Sequence, residues 1–149
     1  MNRLLFFAHI LGFTLWLGGG LGGMAVGILG RREERSLQPV VVRLLFAIHR
    51  LVMAPGIILT LISGVYLSIP AAKMGMPSAW LMLMQVAGVI AGIMVGFISL
   101  PTLRRLSHMS PMGETATLYD ALRKRQATAG MIAGSLGILA LIGGVLVKH

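Results

Sequence analysis

Few side chains in this sequence can do chemistry, and they are concentrated in apolar surroundings. His9 is the one ionisable residue in the run from Leu4 to Leu29. Met82, Met84 and Gln85 follow Trp80 in a second apolar run. His49 and Arg50 stand near the start of another. The four acidic residues, Glu33, Glu34, Glu114 and Asp120, all fall in the polar connectors between such runs. That distribution argues against a carboxylate proton relay, an acidic cation channel or a di-metal carboxylate centre. No cysteine is present, so disulfides and thiolate metal sites are excluded. No phosphate-binding loop, hydrolase triad or metal-hydrolase motif occurs.

An imidazole at membrane depth is costly and turns toward protein or a partner. His9 therefore either hydrogen-bonds a backbone carbonyl or Gln85, or it serves as a ligand. On a helix it lies about five residues below the end, or roughly 7–8 Å deep. Met84 enters from the same side at a comparable depth, so the two can meet across a bundle. Gly12, Trp16 and Gly20 share the His9 face, and Gln85 and Gly88 lie near Met84. Small residues beside an aromatic ring leave a flat slot, the shape a porphyrin requires. Haem iron accepts His with Met as axial ligands, and bundle cores commonly house cofactors. The expected site is therefore haem b, held by His9 and Met84 with Gly12, Trp16, Gln85 and Gly88 around it.

The 11 methionines permit a second metal reading. Met74, Met76, Met82 and Met84 can form a thioether ladder for Cu(I), although methionine is more often an apolar filler. His49, with Arg43, Arg50, Arg104 and His108, forms either an interfacial rim or a basic pocket for carboxylate or phosphate.

These residues need a scaffold, and composition specifies it. Hydrophobic residues make up 56% of the chain and charged ones only 11%, against about 25% charged in soluble domains. Four apolar segments, about 4–29, 44–69, 80–101 and 127–147, are each long enough to cross a bilayer. The first is too long for a signal-peptide core and no A-x-A cleavage site follows, so it reads as a permanent helix. The segment ETATLYDALRKRQ is expected to be helical and to run into the last span, extending that helix to 113–147. Pro70 and Pro77 are expected to close off the helices flanking the second connector. The fold expected is all-α: one antiparallel four-helix membrane bundle, a single domain over 1–149.

Nine basic residues lie in the first and third connectors and three on the opposite side. The basic connectors should face the cytoplasm, with the N-terminus and C-terminus outside. The net charge of +9 is thus explained by topology and anionic lipid, not by nucleic acid. Glycines at spacing four (Gly19, Gly23 and Gly27; Gly88, Gly92 and Gly96; Gly130 and Gly134) should form close helix contacts. Three such faces also suit a homo-oligomer or docking into a larger membrane complex.

Short motifs add a family resemblance. His9-Ile10 followed by Trp16-Leu17-Gly18-Gly19 resembles the first helix of small membrane proteins related to HemJ-type protoporphyrinogen oxidases and CopD-type copper-resistance proteins. Arg50-Leu51-Val52-Met53-Ala54-Pro55-Gly56, leading to Ser63-Gly64-Val65-Tyr66, resembles their second helix. Ala79-Trp80-Leu81, ending at Leu103-Arg104-Arg105-Leu106, resembles the third. The similarity covers roughly residues 3–106. It implies a four-helix protein of a bacterial cytoplasmic membrane that binds haem b, with His9 at the position of the family's essential histidine. The family's third-helix lysine falls at Met84, and its arginine-aromatic-histidine sequence is replaced by Gly30-Arg31-Arg32-Glu33. What the resemblance implies is a redox or electron-transfer scaffold, an oxidoreductase without the lysine of porphyrinogen oxidation; the CopD side of it implies copper transport or tolerance.

Overall fold

The computed structural model describes residues 3–73 and 78–146. Helix α1 is Arg3–Leu29. A short 3-10 turn, Arg35–Leu37, leads into α2, Gln38–Ile48, and α3, Ala54–Lys73, joined by a wide π turn at His49–Met53. Helix α4, Ala79–Ile93, continues through a second π turn, Met94–Ser99, into α5, Leu100–Leu106. Helix α6 is Ala116–Leu146, preceded by a 3-10 turn at Gly113–Thr115. The four continuous rods they form are each long and apolar enough to span a membrane.

Both π turns have a cause in the sequence. Each ends two residues before a proline, Pro55 or Pro101. A proline inside a helix lacks its N–H and presses on the carbonyl four residues back, and a locally widened turn relieves that clash. The helix therefore passes through both prolines instead of stopping.

Three boundaries differ from the sequence expectation. The second rod begins at Arg35 instead of near 44, because Pro39 sits in the first turn of α2, where its missing N–H costs nothing. The Gln38 side chain there donates to the carbonyls of Gly30 (2.8 Å) and Glu33 (2.9 Å) and accepts from Arg123. The third rod runs to Leu106 instead of 101. Pro70 lies inside α3, not at its end. It stands in the last turn, where its missing N–H removes only one intrahelical bond. Pro77, expected to bound the next helix, lies outside the described residues. That helix starts instead on Ser78, whose Oγ accepts from the Leu81 N–H. The final helix is continuous from its amphipathic start, as ETATLYDALRKRQ indicated.

Packing divides the bundle into two close pairs, α1 with α3 and α4 with α6; the pairs touch each other far less. At the α1–α3 crossing the backbones nearly meet. A Cβ on Gly56 would lie 2.7 Å from the Gly12 carbonyl oxygen and the Trp16 nitrogen. A Cβ on Gly143 would lie 2.9 Å from the Trp80 carbonyl oxygen, so α4 and α6 are equally close there. Gly19 and Gly23 do contact the second rod and Gly92 meets Ile57 and Leu61, but the remaining predicted glycines do not. Gly27, Gly96, Gly130 and Gly134 have open space where a side chain would be, and the last three are exposed. Spacing alone does not say which stripe faces a neighbour.

Two packed layers hold the pairs together. Trp16, Met53, Ile57, Ala91, Val95 and Ala133 form one in the middle of the bundle. Val42, Leu103, Leu106, Tyr119 and Leu122 form the other near the basic connectors. Those connectors are tied by Arg35, which pairs with Asp120 at 2.8 Å and donates to the Pro111 carbonyl. Beyond the middle layer, toward Trp80, the pairs separate.

Candidate functional site

The separation leaves a cavity of about 360 Å³ to which all four rods contribute. This is within the usual size range of small-molecule sites. Trp16, part of the central layer, closes one end, with Phe13 set edge-on to it at 6.0 Å between ring centres. His9 lines one wall from α1, and Met84, Gln85 and Gly88 line another from α4. Gly64 on α3 and Ala140 on α6 complete it with small side chains. The rim is made of Ile10, Val65, Val89 and Leu141, all exposed on the outer surface of the bundle. The cavity therefore opens sideways, toward lipid.

The His9 ring is held by α3. Its Nδ1 lies 3.0 Å from the Thr60 carbonyl oxygen and 3.2 Å from Ser63 Oγ. A carbonyl only accepts, so Nδ1 carries the proton and donates it, leaving Nε2 with its lone pair. Nε2 has no hydrogen-bond partner among the described residues, and it is not among the fully buried polar atoms that lack one. Nε2 is therefore not fully enclosed, and the His9 residue is one of those that line the cavity. Of the two partners left open by the sequence, the backbone carbonyl is the one realised. Gln85 instead donates from Nε2 to Ser68 Oγ at 2.6 Å, and Ser68 donates to the Gly64 carbonyl.

Gly88 is buried, yet a Cβ on it would meet nothing within 4 Å. A buried position with free room beside it marks a true void in the packing, since interiors normally leave few. Met84 is wedged between this void and α6. Its Cβ lies close to Gly143, and its sulfur is 3.2 Å from where a Gly144 Cβ would stand.

Of the predicted residues, His9, Trp16, Met84, Gln85 and Gly88 thus share one cavity. Gly12 is elsewhere: it faces Thr60 and Gly56 at the helix crossing, where a Cβ would approach within 2.7 Å. Its part is to bring α3 close enough to hold His9. Met82 is 53% exposed and turned outward, away from Met84, because two residues along a helix point to nearly opposite sides. Met74 and Met76 lie outside the described residues. Among the described residues, no three His, Asp or Glu side chains gather as a metal cluster.

His49 belongs to a separate environment. It is buried beside Gly23, and its Nδ1 donates to the Leu45 carbonyl of its own helix. Because the second rod starts at Arg35, His49 is some 14 residues from its beginning, deeper than a helix starting near residue 44 would place it. Arg43, Arg50, Arg104 and His108 are exposed and do not enclose it.

Sequence reasoning missed Thr60, Ser63, Gly64 and Ala140. The first three were visible as two hydroxyls and a glycine on one face of an apolar helix, the side that turns inward in a bundle. Ala140 gives no such signal.

Comparison with curated proteins and with solved structures finds no match. The family comparison does, over residues 3–147, nearly the whole chain. The chain belongs to the DUF2269 family, described as predicted integral membrane proteins.

Proposed function

We propose that this protein binds haem b within a bacterial cytoplasmic membrane, that His9 would hold its iron, and that the protein serves a redox or electron-transfer role. One observation carries the reading. The Nδ1–H of His9 is committed to the Thr60 carbonyl, Nε2 has no partner among the described residues, and His9 lines a cavity bounded by all four rods. Metal-binding histidines are oriented in this way, the second nitrogen fixing both tautomer and ring plane. The residues around the cavity suit the group. Its walls are apolar, Gly88 leaves room for a flat ring, Gly64 lets the His9 imidazole lie against α3, and Trp16 and Phe13 offer aromatic contact. The resemblance of the first three helices to HemJ-type proteins supports the same assignment.

Haem supplies one-electron chemistry when bound. The chain's own residues hold and insulate it. Thr60 and Ser63 aim the imidazole, and the packed layer of Trp16, Met53 and Ile57 seals the cavity from the basic side. Met84 lines the same space and would be the second residue to hold the iron, a ligand type that would raise the reduction potential. The methionine reading as a copper site is less favoured, because Met82 and Met84 point to different sides.

The test is the absorption spectrum of the purified protein, expected to show a Soret band that His9→Ala abolishes. Met84→Leu should retain the band and shift the reduction potential. A haem-free preparation from cells supplied with haem precursors, which also fails to take up added haemin, overturns the proposal.

A further inference from the structure

A second cavity, of about 460 Å³, lies on the outer surface between the third and fourth rods, apart from the His9 site. Its lower part is apolar, formed by Met94 and Ile98 from the π turn and Ile132 from α6. Its upper part carries Lys124, Arg125 and Thr128. From Lys124 to Ile132 is eight residues, or about 12 Å along the helix, so the groove passes from cationic to hydrocarbon character within two turns. The widened backbone at Met94–Ser99 borders the groove.

Neither Lys124 nor Arg125 forms a side-chain hydrogen bond or ion pair with a described residue. The nearest acid in sequence, Asp120, is paired with Arg35. Two unpaired cations thus stand over a groove of acyl-chain character, at the end of the bundle where most basic residues collect. We infer that this groove binds one anionic phospholipid, its phosphate on Lys124 and Arg125 and an acyl chain along Met94, Ile98 and Ile132. Charge complementarity identifies the headgroup, and the apolar lower half identifies a lipid instead of a soluble phosphate.

Each cation near an anionic membrane surface strengthens binding by about five-fold. The test reconstitutes the full chain in phosphatidylcholine vesicles and measures association of spin-labelled phosphatidylglycerol against spin-labelled phosphatidylcholine. The wild type should prefer the anionic lipid, by about five-fold or more at low salt, and less as salt rises. Lys124→Gln with Arg125→Gln should remove the preference, as should Ile132→Trp, which fills the groove and changes no charge. Arg31→Gln with Arg32→Gln removes the same charge from a different connector and should leave the preference intact. Equal loss in both charge-removal pairs would show general surface attraction and overturn the site. So would a preference that survives Ile132→Trp, or one abolished by millimolar inorganic phosphate alone.

Discussion

Gly56→Ala tests the link between helix packing and the His9 site. The added methyl would stand 2.7 Å from the Gly12 carbonyl oxygen and the Trp16 nitrogen, and 2.9 Å from Leu15 Cβ. Two of these are backbone atoms, which cannot rotate away. Reaching an ordinary contact of 3.4 Å parts α1 from α3 by about 0.7 Å at that level. One turn further along α3, the His9 Nδ1 to Thr60 oxygen distance of 3.0 Å would open to about 3.7 Å, beyond hydrogen-bonding range. Overpacking of this kind costs about 1–3 kcal/mol. Loss of an orienting bond to a metal-binding histidine weakens metal affinity by about 10–100-fold. Haemin titrated into apoprotein, followed at the Soret band, reads the second effect; the midpoint of unfolding in denaturing detergent reads the first. Gly18→Ala, where nothing lies within 4 Å, is the control and should match the wild type. A Gly56→Ala protein with unaltered stability and haem affinity would refute both the tight crossing and its role in aiming His9.

Gly88→Leu should fill the cavity without disturbing the fold, because a Cβ there meets nothing; helicity by circular dichroism stays constant while haem uptake falls. Leu103→Ala empties a fully buried position in the layer near the basic connectors and should cost about 2–5 kcal/mol in detergent unfolding. Tyr119→Phe, in the same layer, removes a buried hydroxyl that has no partner and should be neutral or stabilising in that assay, by up to about 1–3 kcal/mol. Gln38→Leu strands the carbonyls of Gly30 and Glu33 and the partner nitrogen of Arg123, for an expected loss of about 1–3 kcal/mol.

Much of the scaffold follows from composition, because lipid permits so few solutions. A chain crossing hydrocarbon must satisfy its backbone internally, and runs such as Leu4–Leu29 with a single ionisable group have only the helix available. Four runs and short connectors therefore imply an up-and-down bundle before any coordinate is known. His9 stood out for the same reason: lipid makes a lone imidazole conspicuous. Its approximate level relative to Met84 followed from counting residues at a fixed rise.

The pairing of the helices was not legible in this way. Glycine spacing marks stripes on which backbones can approach, yet Gly130 and Gly134 face outward while Gly12, Gly56 and Gly143 make the close crossings. In lipid both sides of a helix are apolar, so the pattern that separates inside from outside in a soluble protein is largely erased. Helix ends were also misjudged at Pro39, Pro70 and Pro101, because a proline's cost depends on whether its turn can widen or already lacks a partner.

The sequence alone determined a helical membrane protein with one imidazole in its first span, since those properties depend on side-chain type and run length. Only the tertiary structure decided that the Thr60 carbonyl holds Nδ1, that Gln85 turns to Ser68, and that Gly12 serves the crossing and not the cavity. Such choices depend on the rotation of each helix about its own axis, which is settled by contacts between residues some fifty positions apart in the chain.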